Sequence, residues 1–301
     1  MTMPLSGTGL WSTGFRFAET DAATAAAVRA EELGYTALWL PDTDGKGLFD
    51  RLEALLAATG RITVATGILN LWMHEPKTVA ERYARLTEQY GGRLLLGIGV
   101  SHAPLVASAG AGVYAKPVAR MGEFLDALDA ASPPAPREGR VLAALGPRML
   151  GLAKDRAAGA HPYLVTPEHT RIAREALGPD RLLAPEVTVV PQSDPARARE
   201  IARAGLAVYL TLPNYVNNWL RSGFTEDDVA DGGSDRLVDA LVAWGDDDAI
   251  AARLRAFRDA GADHLALQTW DGESAEAFGA GRMPTNFPVE DWRRLAELLN
   301  G

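Results

Sequence analysis

Two titratable side chains stand where the chemistry of a parallel α/β protein is normally found. His102 and the preceding Ser101 follow the apolar run Leu94–Val100. Asp42 follows the apolar run Thr36–Leu40 in the same way. Active sites of such proteins lie at the carboxyl ends of the strands, and an imidazole titrates near neutral pH, so His102 and Asp42 are the candidate catalytic residues. The structural alternatives are a loop histidine bonded to a backbone group and an Asx turn in the sequence PDTDG.

Glycines near the ends of two apolar runs indicate where a ligand could approach the backbone. The run Ile62–Ile68 carries Gly67, and the next run carries Gly97 and Gly99. A glycine has no side chain to block a flat ring or a phosphate. Gly146-Pro147 opens a predicted helix whose first-turn amides could bind an anion. A purely structural strand-to-helix turn is the alternative for that dipeptide.

Two tryptophans and one further histidine are candidates for the wall of a substrate pocket. Trp11 and Trp72 lie at or just past predicted strand ends, and His74 precedes a predicted helix. Aromatic rings at the mouth of a barrel could hold a cyclic substrate, with core packing or capping as the alternative. The insertions add aromatic residues that favour an apolar or cyclic substrate, namely Tyr114, Tyr215, Trp219 and Phe224.

Composition and missing motifs argue against several classes of function. The chain of 301 residues has a formal charge of -9 and no cysteine, which argues against a nucleic-acid partner and excludes disulfides and thiolate chemistry. The remaining histidines show no metal-ligand spacing, so no metal site is expected. Neither a G-x-S-x-G nor a Walker sequence is present. Without a signal peptide or a run as long as a membrane span, we expect no membrane partner and a cytoplasmic location.

The order of apolar runs and amphipathic segments predicts eight strands, each followed by a helix. This pattern indicates a single (β/α)8 TIM barrel over residues 1–301, with a doubly wound sheet as the alternative. No G-x-G-x-x-G follows the first strand, which counts against the doubly wound sheet. The predicted strands are Thr8–Thr13, Thr36–Leu40, Ile62–Ile68, Leu94–Val100, Val141–Ala144, His161–Val165, Glu186–Val190 and His264–Gln268.

Two long segments between these elements are predicted to be insertions at the C-terminal face of the strands. Ser101–Lys116 has several small residues and no clear periodicity, and is expected to be a loop over the site. Asn214–Asp235 is expected to be a second excursion from the barrel. These segments would select the substrate.

Five segments of the chain resemble the luciferase-like monooxygenase superfamily, the bacterial-luciferase-type barrels. They are EELGYTALWLPD, ITVATGILN, GGRLLLGIGVSH, ALGPRMLGLAKDRAAGAHPYLVTPEHT and AGADHLALQ. Within the superfamily the chain is similar to an actinobacterial group that uses the deazaflavin coenzyme F420. The resemblance implies that the peptide bond Gly67-Ile68 is cis and backs the central ring of the cofactor. It also implies cofactor contacts at Asp42 and Asn70, at Val100 and Ser101 for the tail, and at Leu145, Gly146, Arg148 and Met149 for the phosphate.

The chain departs from the sugar-phosphate dehydrogenases of that superfamily at two positions. Thr43 stands where they carry a histidine, and His102 stands where they carry a glutamate. Their substrate is therefore not carried over. Thr43 becomes a candidate for the substrate pocket, and His102 remains a candidate proton donor or acceptor.

The reaction that the resemblance implies is hydride transfer between coenzyme F420 and a small organic substrate. With FMN as the cofactor, the protein would instead be a monooxygenase that uses O2 and a reductase partner. A flavin-binding protein without turnover is the third hypothesis. Members of the superfamily are commonly dimers, so a homodimer is expected.

Overall fold

The computed structural model describes residues 5–300. Its centre is a parallel sheet of eleven strands. The strands are β1 Gly7–Trp11, β2 Ala37–Leu40, β3 Thr63–Thr66, β4 Leu69–Asn70, β5 Leu94–Gly99, β6 Arg140–Leu142, β7 Gly159–Ala160, β8 Leu182–Leu183, β9 Glu186–Val190, β10 Val242–Trp244 and β11 His264–Thr269. The order across the sheet is β10-β9-β11-β1-β2-β3-β5-β6-β7-β8, and β4 pairs with β5.

The sheet curls into a closed barrel, and the closure lies in the segment 182–190, which contains β8 and β9. β8 pairs with β7, and β9 pairs with β11, although only two residues separate β8 from β9. The ladder continues through those two residues: the Ala184 amide donates to Ala160 O at 2.9 Å, and the Ala266 amide donates to Pro185 O at 3.0 Å. Both sides of this segment are thus bonded, and the predicted barrel is confirmed.

Helices surround the barrel and cover its outer face. They are α1 Gly14–Phe17, α2 Thr20–Glu32, α3 Leu48–Ala58, α4 Pro76–Gln89, α5 Ala103–Ser108, α6 Pro117–Ala130, α7 Pro147–Arg156, α8 Pro167–Leu177, α9 Pro195–Leu206, α10 Pro213–Arg221, α11 Glu226–Val229, α12 Asp235–Leu241, α13 Asp247–Asp259, α14 Gly272–Gly279 and α15 Val289–Asn300. Short 3-10 turns lie at Arg137–Gly139 and Tyr209–Thr211.

The α4 helix shows how the sequence specifies such an element. Glu75 caps it by accepting the Lys77 amide, and Pro76 occupies its first turn, where no partner for a backbone N–H is needed. The buried residues of α4 are Val79, Ala80, Tyr83 and Leu86, which fall on one helical face. That face packs on the barrel, so the strand ends next to α4 are held in place.

The sixth predicted strand lies earlier than expected. The structure has β7 at Gly159–Ala160, and the predicted strand His161–Val165 is irregular. Leu164 adopts a left-handed conformation with φ of 50°, which cannot continue a strand. Its amide donates to the buried Glu186 carboxylate at 3.0 Å, and its carbonyl accepts the Trp219 indole N–H at 3.1 Å. These tertiary contacts override the local strand propensity.

Both predicted insertions contain helices. Ser101–Lys116 includes α5, and the second excursion includes α10, α11 and the start of α12. The three-residue β10 pairs only with β9 and was not expected from the sequence. Helices of four to nine residues and a strand of three give too few periods for a pattern to emerge.

Candidate active site

A cavity of about 540 Å³ opens at the carboxyl ends of the strands. Its wall includes residues from several strand ends, from α7 and from the second insertion. This position is where barrel enzymes carry their sites. Thirteen of the residues singled out from the sequence line it: Trp11, Asp42, Thr43, Gly67, Ile68, Val100, Ser101, His102, Tyr114, Leu145, Gly146, Met149 and Tyr215.

A backbone bulge between β3 and β4 forms one wall of the cavity. The Gly67-Ile68 peptide bond is cis, the isomer that the family resemblance implies. The Gly67 amide donates to Leu40 O at 2.8 Å, and the Asp42 amide donates to Ile68 O at 3.1 Å. The Trp11 indole N–H donates to Gly67 O at 2.9 Å. The bulge is therefore anchored to β2 on one side and to β1 on the other.

The glycines of β5 leave the space that this bulge occupies. A β-carbon at Gly97 would lie 1.9 Å from Thr66 O, and one at Gly99 would lie 2.5 Å from Ile68 Cγ1. Neither glycine lines the cavity. The sequence interpretation that they admit a ligand is therefore corrected: they admit the neighbouring strand and the Ile68 side chain.

The Asp42 carboxylate holds the backbone around the bulge. Oδ1 accepts the Gly45 amide at 3.0 Å, and Oδ2 accepts the Asn70 amide at 3.2 Å. Oδ2 also lies 2.6 Å from His74 Nε2. Both oxygens are thus engaged, and the bond to Gly45 spans three residues where the Asx turn considered from the sequence would span two. Asp42 reaches the cavity as a positioning residue, with its hydrogen-bonding capacity already used by the protein.

Four candidate residues lie outside the cavity wall. His74 is behind Asp42, and Trp72 donates its indole N–H to Val100 O at 2.8 Å. Asn70 is fully buried, where its Oδ1 accepts the Trp72 amide at 3.2 Å. Arg148, in the first turn of α7, is exposed. The predictions of Trp72 and His74 as pocket residues are corrected, because tertiary hydrogen bonds turn both side chains into the support of the strand ends.

His102 lies in the cavity beside the second insertion. Asn214 Nδ2 is 3.3 Å from Ser101 O and 3.4 Å from His102 Nδ1. Because the amide N–H donates there, His102 Nδ1 accepts, and the ring proton sits on Nε2. Burial lowers the pKa of His102 to about 4. At neutral pH the side chain is a neutral imidazole that presents an N–H.

The opposite end of the cavity is suited to an anion. Gly146 precedes α7, and although the Met149 and Leu150 amides donate to Gly146 O at 3.1 and 3.0 Å, the positive end of the helix dipole lies at this end of the cavity. A β-carbon at Gly146 would lie 3.6 Å from Arg221 Nη2, so this guanidinium faces the helix start. Arg221 makes no ion pair within residues 5–300; it donates to Asn218 Oδ1 at 3.3 Å. The positive charge at this end comes from Arg221 of α10 and not from Arg148.

Aromatic side chains that the sequence analysis did not assign to the site line the part of the cavity near Trp11. Tyr163 donates to Gln268 Oε1 at 2.6 Å and is 2.7 Å from the Tyr209 hydroxyl. Burial raises the pKa of both phenols, so they stay neutral. Tyr215 and Phe278 complete this wall. These residues come from distant segments with no shared motif, and only the Tyr215 insertion had drawn attention as aromatic.

Charge is scarce in this cavity. Its described lining residues include one acidic side chain, Asp42, and one arginine, Arg221, and burial lowers the pKa of the two lining histidines, His102 and His161, to about 4. Asp42 is engaged by the protein, and Arg221 stands at the anion end. The aromatic end is therefore built for an uncharged group.

Comparison with known proteins places the chain in a family. The family described as luciferase-like monooxygenase matches residues 5–264. The chain belongs to the luciferase-like monooxygenase family. This match covers every strand of the barrel except most of β11.

Relatives of this luciferase-like monooxygenase chain differ in cofactor. The coenzyme F420 dependent tetrahydromethanopterin reductase from Methanopyrus kandleri superimposes with a TM-score of 0.71 at 17% identity, over 93% of this chain and 98% of that one. The 3,6-diketocamphane monooxygenase component from Pseudomonas putida, in complex with FMN, superimposes with a TM-score of 0.64 at 16% identity, over 94% and 99%. At these identities the likeness shows a shared fold.

A curated relative matches over a shorter stretch. The 4-hydroxyprotoasukamycin monooxygenase of Streptomyces nodosus subsp. asukaensis is 34% identical over 80 residues, which are 25% of this chain and 22% of that protein. The luciferase-like monooxygenase chain thus belongs to a family of oxidoreductases. Of the two solved neighbours named above, one depends on coenzyme F420 and the other is bound to FMN. Within residues 5–300, no helix is long and apolar enough to cross a membrane, and no three acidic or histidine side chains converge as a metal site would require.

Proposed function

We propose that the protein is an F420-dependent oxidoreductase that transfers a hydride between the deazaflavin and a small, uncharged organic substrate. The observation that carries this proposal is the layout of one cavity. An anion site at α7, a backbone bulge and an uncharged aromatic end follow one another along it. This layout matches a molecule with a phosphate, a tail and a flat ring, next to a substrate without charge.

The residues of the cavity fit such a cofactor. Arg221 and the residues Leu145, Gly146 and Met149 at the start of α7 would hold its phosphate, because no β-carbon obstructs Gly146 and the guanidinium there has no carboxylate partner in the described chain. Val100 and Ser101 would contact the tail. Ser101 adopts a left-handed conformation with φ of 54°, which turns the chain at the end of β5 toward the cavity.

The bulge and its surroundings would hold the ring. Ile68 lines the cavity on an anchored backbone, so the bulge could support a flat face. Asn70 lies outside the cavity wall and supports the bulge from behind: its backbone amide donates to Asp42 Oδ2 and its Oδ1 accepts the Trp72 amide, each at 3.2 Å. Asp42 fixes the backbone of both segments from behind.

When bound, the deazaflavin supplies the hydride acceptor or donor. The chain supplies position and polarity. His102, neutral with its N–H on Nε2, would donate a hydrogen bond to the substrate oxygen, and Asn214 fixes the tautomer that makes this possible. Aromatic walls exclude water from the reacting groups.

A monooxygenase function with FMN is the second candidate, because FMN also has one phosphate and a flat ring and a solved neighbour contains it. The test is a fluorescence titration of the apoprotein with coenzyme F420 and, separately, with FMN. Tighter binding of F420 supports the hydride-transfer enzyme. Tighter binding of FMN replaces it by the oxygen-using function with a reductase partner. Binding of neither would refute the cofactor assignment.

The non-catalytic hypothesis is separated by a second measurement. The loaded protein is screened for reduction of F420 by a panel of neutral alcohols and for reoxidation by neutral ketones and enones. Turnover that is lost in His102→Ala while cofactor affinity is retained supports an enzyme with His102 at the substrate. Tight cofactor binding without turnover on any compound would support a binding protein.

A further inference from the structure

His161 lies in the floor of the cavity with its ring fixed on two sides. Nδ1 is 2.6 Å from Ala184 O, and since a carbonyl only accepts, Nδ1 carries the proton. The ring stacks on Trp39 with centroids 4.1 Å apart and planes 10° apart. Trp39 is itself held by its indole N–H, which donates to His264 Nε2 at 3.1 Å. Both the tautomer and the orientation of the His161 ring are therefore determined by the protein.

This tautomer leaves Nε2 as a bare acceptor. Nε2 has no hydrogen-bond partner in the described chain, and His161 as a whole is only 1% exposed. The residue nevertheless lines the cavity. A β-carbon at Gly67 would stand 3.2 Å from Nε2 and 2.6 Å from the Trp11 indole nitrogen, so only a glycine lets the bulge approach both rings at this point of the cavity wall. A buried acceptor that is unpaired costs free energy unless a ligand or water satisfies it.

The neighbouring polar groups are already engaged. The Trp11 indole N–H donates to Gly67 O, and the Tyr163 hydroxyl donates to Gln268 Oε1. Neither needs a ligand. Burial lowers the pKa of His161 to about 4, so at neutral pH Nε2 remains an acceptor and carries no positive charge.

We infer that the ligand of this cavity brings a hydrogen-bond donor, an N–H or O–H group, to Nε2 of His161. The identity of the group that carries this donor rests on the proposed function. One source is the imide N–H that the rings of F420 and FMN share; the other is the hydroxyl of an uncharged substrate. A ligand that presented a lone pair at this point would leave two acceptors face to face and would be rejected.

Two substitutions separate the two nitrogens of the ring. His161→Asn keeps an amide N–H near Nδ1 for Ala184 O and removes the acceptor. His161→Gln places an amide oxygen near Nε2 and gives up the bond to Ala184. We expect His161→Asn to weaken binding of the donor-bearing ligand about tenfold, while His161→Gln stays within about threefold of the wild type. Equal binding by all three proteins would overturn the inference and leave a trapped water as the partner of Nε2.

Matched probes identify the source of the donor. For the cofactor, the pair is FMN and its N3-methyl derivative, which lacks the imide N–H. For the substrate, the pair is naphthol and its methyl ether, added to the FMN-loaded protein, or to the apoprotein should FMN not bind. In the pair that identifies the source, wild type binds the donor-bearing member about ten times more tightly than its methylated partner. His161→Asn binds both members of that pair with equal affinity. Discrimination of neither pair would overturn the inference, whereas failure of F420 and FMN to bind wild type would instead refute the proposed function.

Nitrogen NMR of the wild type tests the same point without a substitution at this buried site. The structure predicts a protonated Nδ1 and an unprotonated Nε2 for His161. Addition of the donor-bearing probe should shift the Nε2 resonance upfield while the Nδ1 resonance stays in place. An unmoved Nε2 resonance at saturating ligand would contradict the inference even if both variants fail to fold.

Discussion

At the scale of single residues, the structure moves the phosphate contact from one arginine to another. Arg148 follows Gly146-Pro147 in sequence, yet it is exposed and does not line the cavity. Arg221, distant in sequence, brings its Nη2 to the position next to Gly146. Because helix geometry turns successive side chains by about 100°, adjacency in sequence does not place a side chain at the helix start.

Arg221→Ala should therefore weaken FMN binding about tenfold, since a charge-assisted contact to the phosphate is lost. Riboflavin, which lacks the phosphate, should bind Arg221→Ala and the wild type equally. The matched control is Arg148→Ala, for which FMN affinity should change less than twofold. Fluorescence titrations measure all of these affinities. A larger loss in Arg148→Ala than in Arg221→Ala would return the phosphate contact to the residue that the family resemblance implied.

The state of His102 gives a second prediction at this scale. Asn214→Asp would place a carboxylate next to Nδ1, and a nearby negative charge favours the imidazolium. The pKa of His102, about 4 in the wild type, should rise by at least about one unit. An NMR titration of the His102 ring measures it. An unchanged midpoint would show that residue 214 does not contact the imidazole.

At the scale of elements, the contact between β3 and β5 depends on glycine. A β-carbon at Gly97 would meet a backbone oxygen of Thr66, which cannot move without separating the strands. Gly97→Ala should cost about 3 kcal/mol of unfolding free energy or more, because overpacking against backbone is not relieved by a rotamer change. Urea denaturation measures the loss.

Gly151 in α7 offers the matched control. No atom lies within 4 Å of its built β-carbon, and its backbone is helical. Gly151→Ala should raise the unfolding free energy by up to about 1 kcal/mol, because alanine favours the helix. If Gly97→Ala proved as stable as Gly151→Ala, the close approach of β3 to β5 described here would be wrong.

At the scale of the whole molecule, buried histidines make stability depend on pH. Burial lowers the pKa of His102 and His161 to about 4 and that of His264 to about 3, and it also lowers the pKa of His169. The unfolded chain takes up these protons near pH 6.5. Between pH 6.5 and 4 the unfolded state thus binds more protons, so the unfolding free energy falls as the pH is lowered.

Glu186 acts in the opposite direction. Burial raises its pKa from 4.5 to about 7, so the folded state binds the extra proton between these values and gains stability as the pH falls. Four histidines outweigh one glutamate. We expect the free energy of unfolding to drop by roughly 2–4 kcal/mol per pH unit near pH 5.5. Urea denaturation at pH 7, 6 and 5 tests this, and a flat profile would show that these side chains are solvated in the folded state.

The predicted homodimer also belongs to this scale and stays a prediction. Sedimentation equilibrium of the full chain measures it. A sedimenting mass of twice 32.1 kDa is expected, and a mass of one chain at all concentrations would contradict it.

The sequence patterns alone determined the barrel fold and showed that the site lies at the carboxyl-terminal edge of its strands. Strand and helix periods repeat over five or more residues in most elements, and the carboxyl ends of parallel strands share one edge by geometry. His102, Ser101, Ile68 and Gly146 reach the cavity because each directly follows a strand or lies in a bulge at its end. Local order along the chain was sufficient for these residues.

Tertiary structure alone decided which polar atoms are free. Asp42 and His74 looked reactive in sequence but are bonded to each other, and Asp42 is also bonded to the bulge backbone. His161, one of several scattered histidines, has no partner for Nε2 within residues 5–300. Arg221 and Tyr209 enter the site from segments more than 60 residues beyond Gly146. The hydrogen-bond partners of these side chains lie far apart in the chain, so no local sequence pattern shows which polar atoms remain unpaired.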